Sequence, residues 1–252
     1  MVSRSDPTLV LAVKRPQAFR EFHPADAIFF PALIGVIWLM MLLGFVPEVV
    51  DRIVSKAPPY PVIIHVHAVI FFGWLVFLAL QVALVRSGKL AIHRRMGLVG
   101  LVLAIAVVVV GPAAALTMQI EGLAKQPAQF LAIQLLSVAV FGTCIAYGLL
   151  FRRQPAAHKR LMLIGTLAIT GAGFGRIIRM VSGAAPPWTF VPAVYLGADC
   201  LLLVMAIYDF RTRGRLHPIF VPAAGGFLLI QIAAGQLLHA PWWIGLTRQL
   251  VS

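Results

Sequence analysis

Long apolar runs separated by short polar segments recur along the whole of this 252-residue chain. Seven runs of about 20 mostly apolar residues are present, and each can cross a hydrocarbon core of about 30 Å. Runs such as Leu101–Val110 are continuous, whereas a strand in a membrane barrel alternates between apolar and polar positions. The pattern therefore predicts helices, which satisfy their own backbone hydrogen bonds in lipid. The predicted spans are 28–48, 61–85, 97–118, 128–151, 161–181, 190–210 and 218–238.

The composition supports a polytopic membrane protein. The chain is 61% hydrophobic and 12% charged, and its mean hydropathy is +0.94. A soluble domain of this length could not hide so much apolar surface. We therefore expect an all-α membrane bundle at 28–238, between a polar cytoplasmic arm at 1–27 and an external tail at 239–252. No segment ahead of the first span has the features of a cleaved signal peptide.

Basic residues are distributed unevenly between the two ends of the predicted bundle. Of 21 Lys and Arg residues, 15 lie in the arm and in the loops after the second, fourth and sixth spans. Four lie at the opposite end, and two lie inside the fifth span. Because positive loops stay in the cytoplasm, this asymmetry predicts a bacterial inner-membrane protein with a cytoplasmic N-terminus and a periplasmic C-terminus. The net charge of +13 is then a topology signal that favours contact with the lipid bilayer, and nucleic-acid binding is not expected.

One short motif occurs three times, as a basic cluster followed by a histidine and then a new apolar run. The segment Ala91–Gly100 aligns without a gap to Ala156–Gly165, and Gly214–His217 repeats the approach to the histidine. This repeat predicts three related helical hairpins, made by spans two and three, four and five, and six and seven. The first span is a separate N-terminal helix. Hairpin repeats in membrane proteins commonly place functional sites where the hairpins meet.

A set of motifs falls at corresponding points of these hairpins. Its members, in order, are His67, Trp74, Gln81, Gly88, His93-Arg-Arg-Met-Gly, Ala157-His158-Lys-Arg-Leu-Met, Tyr208-Asp209 and Arg211-Thr-Arg-Gly-Arg-Leu-His217-Pro. The set resembles a bacterial family of uncharacterised seven-helix membrane proteins, over about residues 60–225. That resemblance implies the topology and an inner-membrane location, and it implies no activity. The hairpins with one histidine each are more loosely similar to transmembrane b-type cytochromes, which implies haem b.

Three histidines share one depth, at the cytoplasmic starts of the third, fifth and seventh spans. Neutral imidazole binds zinc, copper or haem iron through one nitrogen. The sequence therefore predicts a site for haem b or a transition metal, with His93 and His158 as paired axial ligands, His217 as a further metal ligand and His67 near a second cofactor site. The competing interpretation is that these imidazoles pack at the lipid interface or bond to loop carbonyls. Pro218 supports that interpretation for His217, because proline favours helix initiation.

Ionisable groups inside predicted spans are costly unless they are paired or functional. Arg176 and Asp199 lie at similar depths in the fifth and sixth spans, so we expect them to form an ion pair. His67 lies at the same depth and completes a predicted intramembrane polar cluster, which Tyr195 and Gln236 could join. The cluster is either a structural salt bridge between hairpins or a site for a ligand or proton.

Motifs of soluble enzymes are absent from the sequence, which contains no G-x-S-x-G, Walker, H-E-x-x-H or C-x-x-C pattern. No catalytic residue can therefore be assigned. Three functions remain, and the histidine pattern favours the first of them. They are electron transfer through a bound haem or metal, small-molecule or proton-coupled transport through the cluster of Arg176, Asp199 and His67, and a non-catalytic assembly role with other membrane proteins.

Overall fold

The computed structural model describes residues 19–183 and 190–252, with side chains from 194 onward in the second range. Every regular element in these ranges is helical, as predicted. The helices are α1 (Asp26–Val54), α2 (Val62–Arg86), α3 (Leu90–Ile120), α4 (Leu131–Leu150), α5 (Pro155–Ala168), α6 (Gly171–Ser182), α7 (Phe190–Arg213), α8 (Phe220–Leu237) and α9 (Pro241–Val251), with a 3-10 turn at Ala128–Phe130.

Several of these helices are long and apolar enough to cross a membrane. Within the described residues, α1, α2, α3, α4 with its preceding turn, and α8 each qualify, and α5 with α6 qualifies as a sixth, bent span. A multi-pass membrane protein is therefore compatible with the structure. α7 overlaps the sixth predicted span but is not among these qualifying helices. The full count of seven spans and the hairpin arrangement therefore stay predictions. The predicted tail contains α9, whose Trp243 Nε1 donates to the carbonyl of Gln129 at 2.8 Å.

Two helices extend beyond the apolar runs that predicted them. α1 continues to Val54, six residues past its predicted end at Glu48, and α3 begins at Leu90 instead of residue 97. Charged side chains are costly inside the hydrocarbon core, but a helix can continue beyond the core because its backbone hydrogen bonds are internal. As a result Glu48 lies within α1 instead of at its end, and His93 lies in the first turn of α3.

The predicted fifth span is interrupted in the structure. α5 ends at Ala168, α6 begins at Gly171, and the two helices are bent by 50°. Thr166 and Thr170 donate their hydroxyls to backbone carbonyls at 2.8 and 2.7 Å, a type of bond that bends helices. Glycines at the start of α6 weaken the helix further. The interruption therefore follows from local sequence, although the apolar run itself continues through it.

Close backbone contact joins α1 to α6. A Cβ built on Gly44 would lie 2.5 Å from the carbonyl oxygen of Gly173, so position 44 has no room for a side chain, whereas a Cβ on Gly173 would displace the end of the Met41 side chain. Small residues allow this kind of close approach between membrane helices.

His67, Trp74 and Gln81 recur every seven residues and so lie along one stripe of α2. Trp74 and Gln81 are buried, and Trp74 Nε1 donates to Thr166 Oγ1 on α5 at 3.1 Å. His67 is half-buried on the same stripe, whereas His65 is exposed. The stripe therefore connects two sites described below, one at each end of the bundle.

Candidate functional site

A cavity of about 910 Å³ lies at the end of the bundle opposite the repeated basic motifs. Its walls come from the second half of α1, the first half of α2, the end of α3, the start of α4, and α6. Most of the wall is apolar, which is typical of small-molecule sites of this size. The apolar lining includes Met41, Phe45, Phe71, Phe72, Phe130, Ile133 and Val138.

Two polar side chains of the cavity wall each have one buried atom without a hydrogen-bond partner in the described part of the chain. Nδ1 of His67 and Oε1 of Gln134 are buried without a partner among the described residues, and both residues line the cavity. The His67 ring packs on Phe71, with ring centroids 4.0 Å apart. Ser137 shares a 3.4 Å hydrogen bond with the hydroxyl of Tyr195. Because buried polar atoms are usually paired, the two unpaired atoms mark places where a bound molecule or water can bond.

Arg176 lies on the cavity wall, but its partner differs from the predicted one. Its Nε donates to Glu48 Oε2 at 2.6 Å, and its guanidinium lies over the Phe45 ring at 4.2 Å. Asp199 instead accepts a 2.7 Å hydrogen bond from Gln231 on α8. The predicted Arg176–Asp199 pair is therefore wrong, because Arg176 faces α1 while Asp199 faces α8.

The predicted polar cluster is consequently divided. His67 and Arg176 line the same cavity, and Asp199 is not among its lining residues. Glu48 takes the place of Asp199 and also lies 3.5 Å from Lys125 Nζ. Sequence reasoning missed Glu48 because it was assigned to the end of the first span.

The interruption between α5 and α6 forms part of the cavity wall. Ala168, Ile169, Gly171 and Ala172 all line the cavity. The N–H groups of Gly173 and Phe174 both donate to the Thr170 carbonyl, at 3.0 and 3.3 Å. Discontinuous helices beside a cavity are a recurring feature of substrate sites in membrane transporters.

A second grouping lies at the end of the bundle that carries the basic motifs. The rings of His93 and His158 have centroids 6.3 Å apart and planes at 86°. Nδ1 of His158 lies 2.8 Å from the Gly148 carbonyl oxygen. Because a carbonyl only accepts, Nδ1 carries the proton, and Nε2 of the neutral ring keeps a free lone pair. Nδ1 of His93 is buried without a partner among the described residues.

His217, the predicted third ligand, has a different role. Its Nδ1 accepts a 3.1 Å hydrogen bond from the backbone N–H of Ile219, and its ring contacts Phe19 at 4.5 Å. The pKa of His217 is lowered to about 4, first by burial and then by repulsion from the Arg160 guanidinium. No group of three His, Cys, Asp or Glu residues in the described ranges is placed to hold a metal. The predicted three-histidine metal site is therefore wrong, and His217 stabilises the turn before α8.

Two acidic residues organise the basic end, and of these the sequence marked only Asp209, as part of a motif. Asp26 accepts bonds from Lys159 Nζ at 2.6 Å and from Arg213 Nη2 at 2.8 Å, and the Tyr208 hydroxyl also donates to it. Asp209 binds Arg160. These contacts connect the ends of α1, α5 and α7. The sequence signal for Asp209 is its position beside the basic motif that begins at Arg211.

Comparison with protein-family models, curated proteins and solved structures gives no match to this chain.

Proposed function

We propose that this chain is an integral membrane protein of the carrier class, which binds a small amphipathic molecule in the cavity between α1, α2, α3, α4 and α6. The observation that supports the proposal is the cavity itself, of about 910 Å³, with apolar walls and few polar groups. His67 and Gln134 supply unpaired polar atoms on its wall. The interrupted α5–α6 helix favours a carrier over a purely structural protein.

Binding can be tested by photo-crosslinking in membranes. The probe is a sixteen-carbon fatty acid that carries a diazirine, and mass spectrometry identifies the labelled peptides. We expect saturable labelling of peptides that line the cavity, suppressed by excess unlabelled palmitate. Ala172→Trp should abolish this labelling, because Ala172 lines the cavity with an exposed side chain that a tryptophan would extend.

The matched control lies on the same helix. Val181 is 84% exposed and does not line the cavity, so Val181→Trp should leave the labelling unchanged. Cavity peptides that are unlabelled in the parent protein, or labelled equally in Ala172→Trp, would contradict the proposal.

The His93–His158 pair supports a second candidate function, electron transfer through haem. His93 and His158 would hold the haem through their ring nitrogens, and their ring centres lie 6.3 Å apart. A bare metal ion would find no third His, Cys, Asp or Glu ligand among the described residues. Haem fits the pair better, because it brings four ring nitrogens of its own and supplies one-electron chemistry when bound.

The spectrum of the purified protein tests this second function. Protein expressed with added haem should show a Soret band that disappears in His93→Ala and in His158→Ala. His217→Ala should keep the band at a lower protein yield, because His217 only stabilises a turn. A parent protein without haem, or a band that persists in both single variants, would exclude the bis-histidine assignment.

A further inference from the structure

The cavity carries an excess of positive charge at the end of the protein that is otherwise poor in it. Among the described residues that line it, one is an acid, Glu48, and five are basic. Those basic residues are Arg52, Lys56, Lys125, Arg176 and Arg179. Three of the four basic residues that the sequence assigns to this end, and both basic residues of the fifth span, therefore lie on one cavity. The topology rule does not explain this clustering, because it favours positive charge at the opposite end.

Local contacts compensate only part of this charge. Glu48 binds both Arg176 and Lys125, so one carboxylate serves two cations. Arg52 donates to the Pro58 carbonyl and lies 3.6 Å from the centre of the Tyr60 ring, and neither contact carries a negative charge. Within the described ranges, Lys56 and Arg179 have no ion pair.

The position of these charges matters because the cavity wall is apolar. A cleft lined by one sign of charge, with walls of low dielectric constant, focuses the field and concentrates ions of the opposite sign. A neutral ligand would leave the mutual repulsion of these cations unchanged, whereas an anion would offset it. The charge therefore favours a negatively charged group on the bound molecule.

The volume of the cavity indicates a ligand with one chain. Sites for one small molecule commonly have volumes of about 300–1,000 Å³. The cavity of about 910 Å³ lies within this range, so its size suits one molecule with a single long chain.

We propose that the ligand of this cavity is a single-chain amphipathic anion, whose charged group lies among Arg52, Lys56 and Arg179 and whose chain lies against the apolar wall. This inference rests on the proposed function, since it names the chemical class of the molecule bound in the same cavity. It also assigns a binding role to basic residues that topology alone leaves unexplained.

The experiment compares two diazirine probes with the same sixteen-carbon chain, a carboxylate and the uncharged alcohol. The carboxylate should label cavity peptides at concentrations at least tenfold lower than the alcohol. The combined change Arg52→Gln, Lys56→Gln and Arg179→Gln should remove this preference and leave labelling by the alcohol unchanged. If the triple variant does not reach the membrane, Lys56→Gln alone, at an exposed side chain, should reduce the preference.

The matched control removes the same charge at the opposite end of the bundle. Arg86→Gln, Lys89→Gln and Arg95→Gln change three exposed residues that do not line the cavity, so the preference for the carboxylate should persist. Equal labelling by the two probes would overturn the inference and leave the proposed function standing. Labelling of the cavity by neither probe would overturn the proposed function itself.

The source of the anion is settled by competition. Palmitate should displace the carboxylate probe, and phosphatidylglycerol at the same concentration should not. Displacement by phosphatidylglycerol alone would overturn the single-chain assignment and identify the ligand as a bilayer lipid.

Discussion

Arg160 on α5 and Asp209 on α7 form a bidentate ion pair that is almost completely buried. Arg160 Nε donates to Asp209 Oδ2 at 2.8 Å, and Nη2 donates to the other carboxylate oxygen. Each residue is 1% exposed. The backbone adds a bond at each side, since Arg160 donates to the Ala156 carbonyl at 2.7 Å and Asp209 accepts from the His217 N–H at 3.4 Å. Such a pair tolerates burial only while both partners are present.

Removing one partner of this pair should destabilise the protein strongly. Asp209→Asn should lower the free energy of unfolding by about 3–5 kcal/mol, because it leaves the buried charge of Arg160 uncompensated. Arg160→Gln should cost less, because Asp209 keeps the Arg213 guanidinium at 3.9 Å. The double variant should be less unstable than the sum of the single effects. Thermal unfolding in detergent measures all three. The control Lys125→Gln changes a side chain that is 69% exposed and should cost little. Additive effects would show that Arg160 and Asp209 do not interact.

The partner of Arg176 can be tested directly, because the structure pairs it with Glu48 whereas the sequence predicted Asp199. Double-mutant cycles should give a coupling free energy of about 1 kcal/mol between Arg176→Gln and Glu48→Gln, because the pair is only half-buried. The cycle with Asp199→Asn should be additive within about 0.5 kcal/mol. Coupling to Asp199 without coupling to Glu48 would restore the original prediction.

Stability should depend on pH through His217. Its pKa is about 4 in the folded protein, below its ordinary value of 6.5. As pH falls below 6.5, the unfolded chain binds a proton that the folded chain does not, so stability that is present above 6.5 is lost toward pH 4. His217→Asn should show a shallower loss of thermal stability in this window. His239→Asn, at an exposed position, should keep the slope of the parent, and an unchanged slope in both variants would remove His217 as the cause.

Topology can be tested at two exposed serines on opposite ends of the bundle. After both native cysteines are replaced, Ser55→Cys should react with a membrane-impermeant maleimide added to spheroplasts, and Ser87→Cys should react only after lysis. The reason is that Ser87 adjoins the basic motifs, which the charge asymmetry keeps in the cytoplasm. The reverse pattern of labelling would invert the orientation and place the cavity on the cytoplasmic side.

The apolar pattern predicted the helices well because lipid leaves the backbone few alternatives. The gapless alignment of the frames around His93 and His158 predicted that they share one level, and the structure brings their rings to 6.3 Å. The interruption after Ala168 could not be read from hydropathy, since threonine and glycine do not break an apolar run. It depends instead on hydroxyl bonds to the backbone.

Pairing between helices was the least predictable property. Arg160 was counted among the basic residues that set topology, because a count of charge at each end contains no information about partners. Arg176 and Asp199 lie at similar depths in their predicted spans, but depth does not specify which face of a helix meets which neighbour. Glu48 is the partner of Arg176 because it lies on the side of α1 that meets α6, which the sequence does not specify.

The close contact between Gly44 and Gly173 offers a route by which ligand preference can change between related chains. A Cβ at Gly44 would lie 2.5 Å from the Gly173 carbonyl oxygen, so main-chain atoms set the spacing of α1 and α6, two walls of the cavity. A chain with alanine at position 44 would have to hold these helices farther apart. Selection among ligands of different width could then act through a position that does not line the cavity, while every lining side chain stays the same.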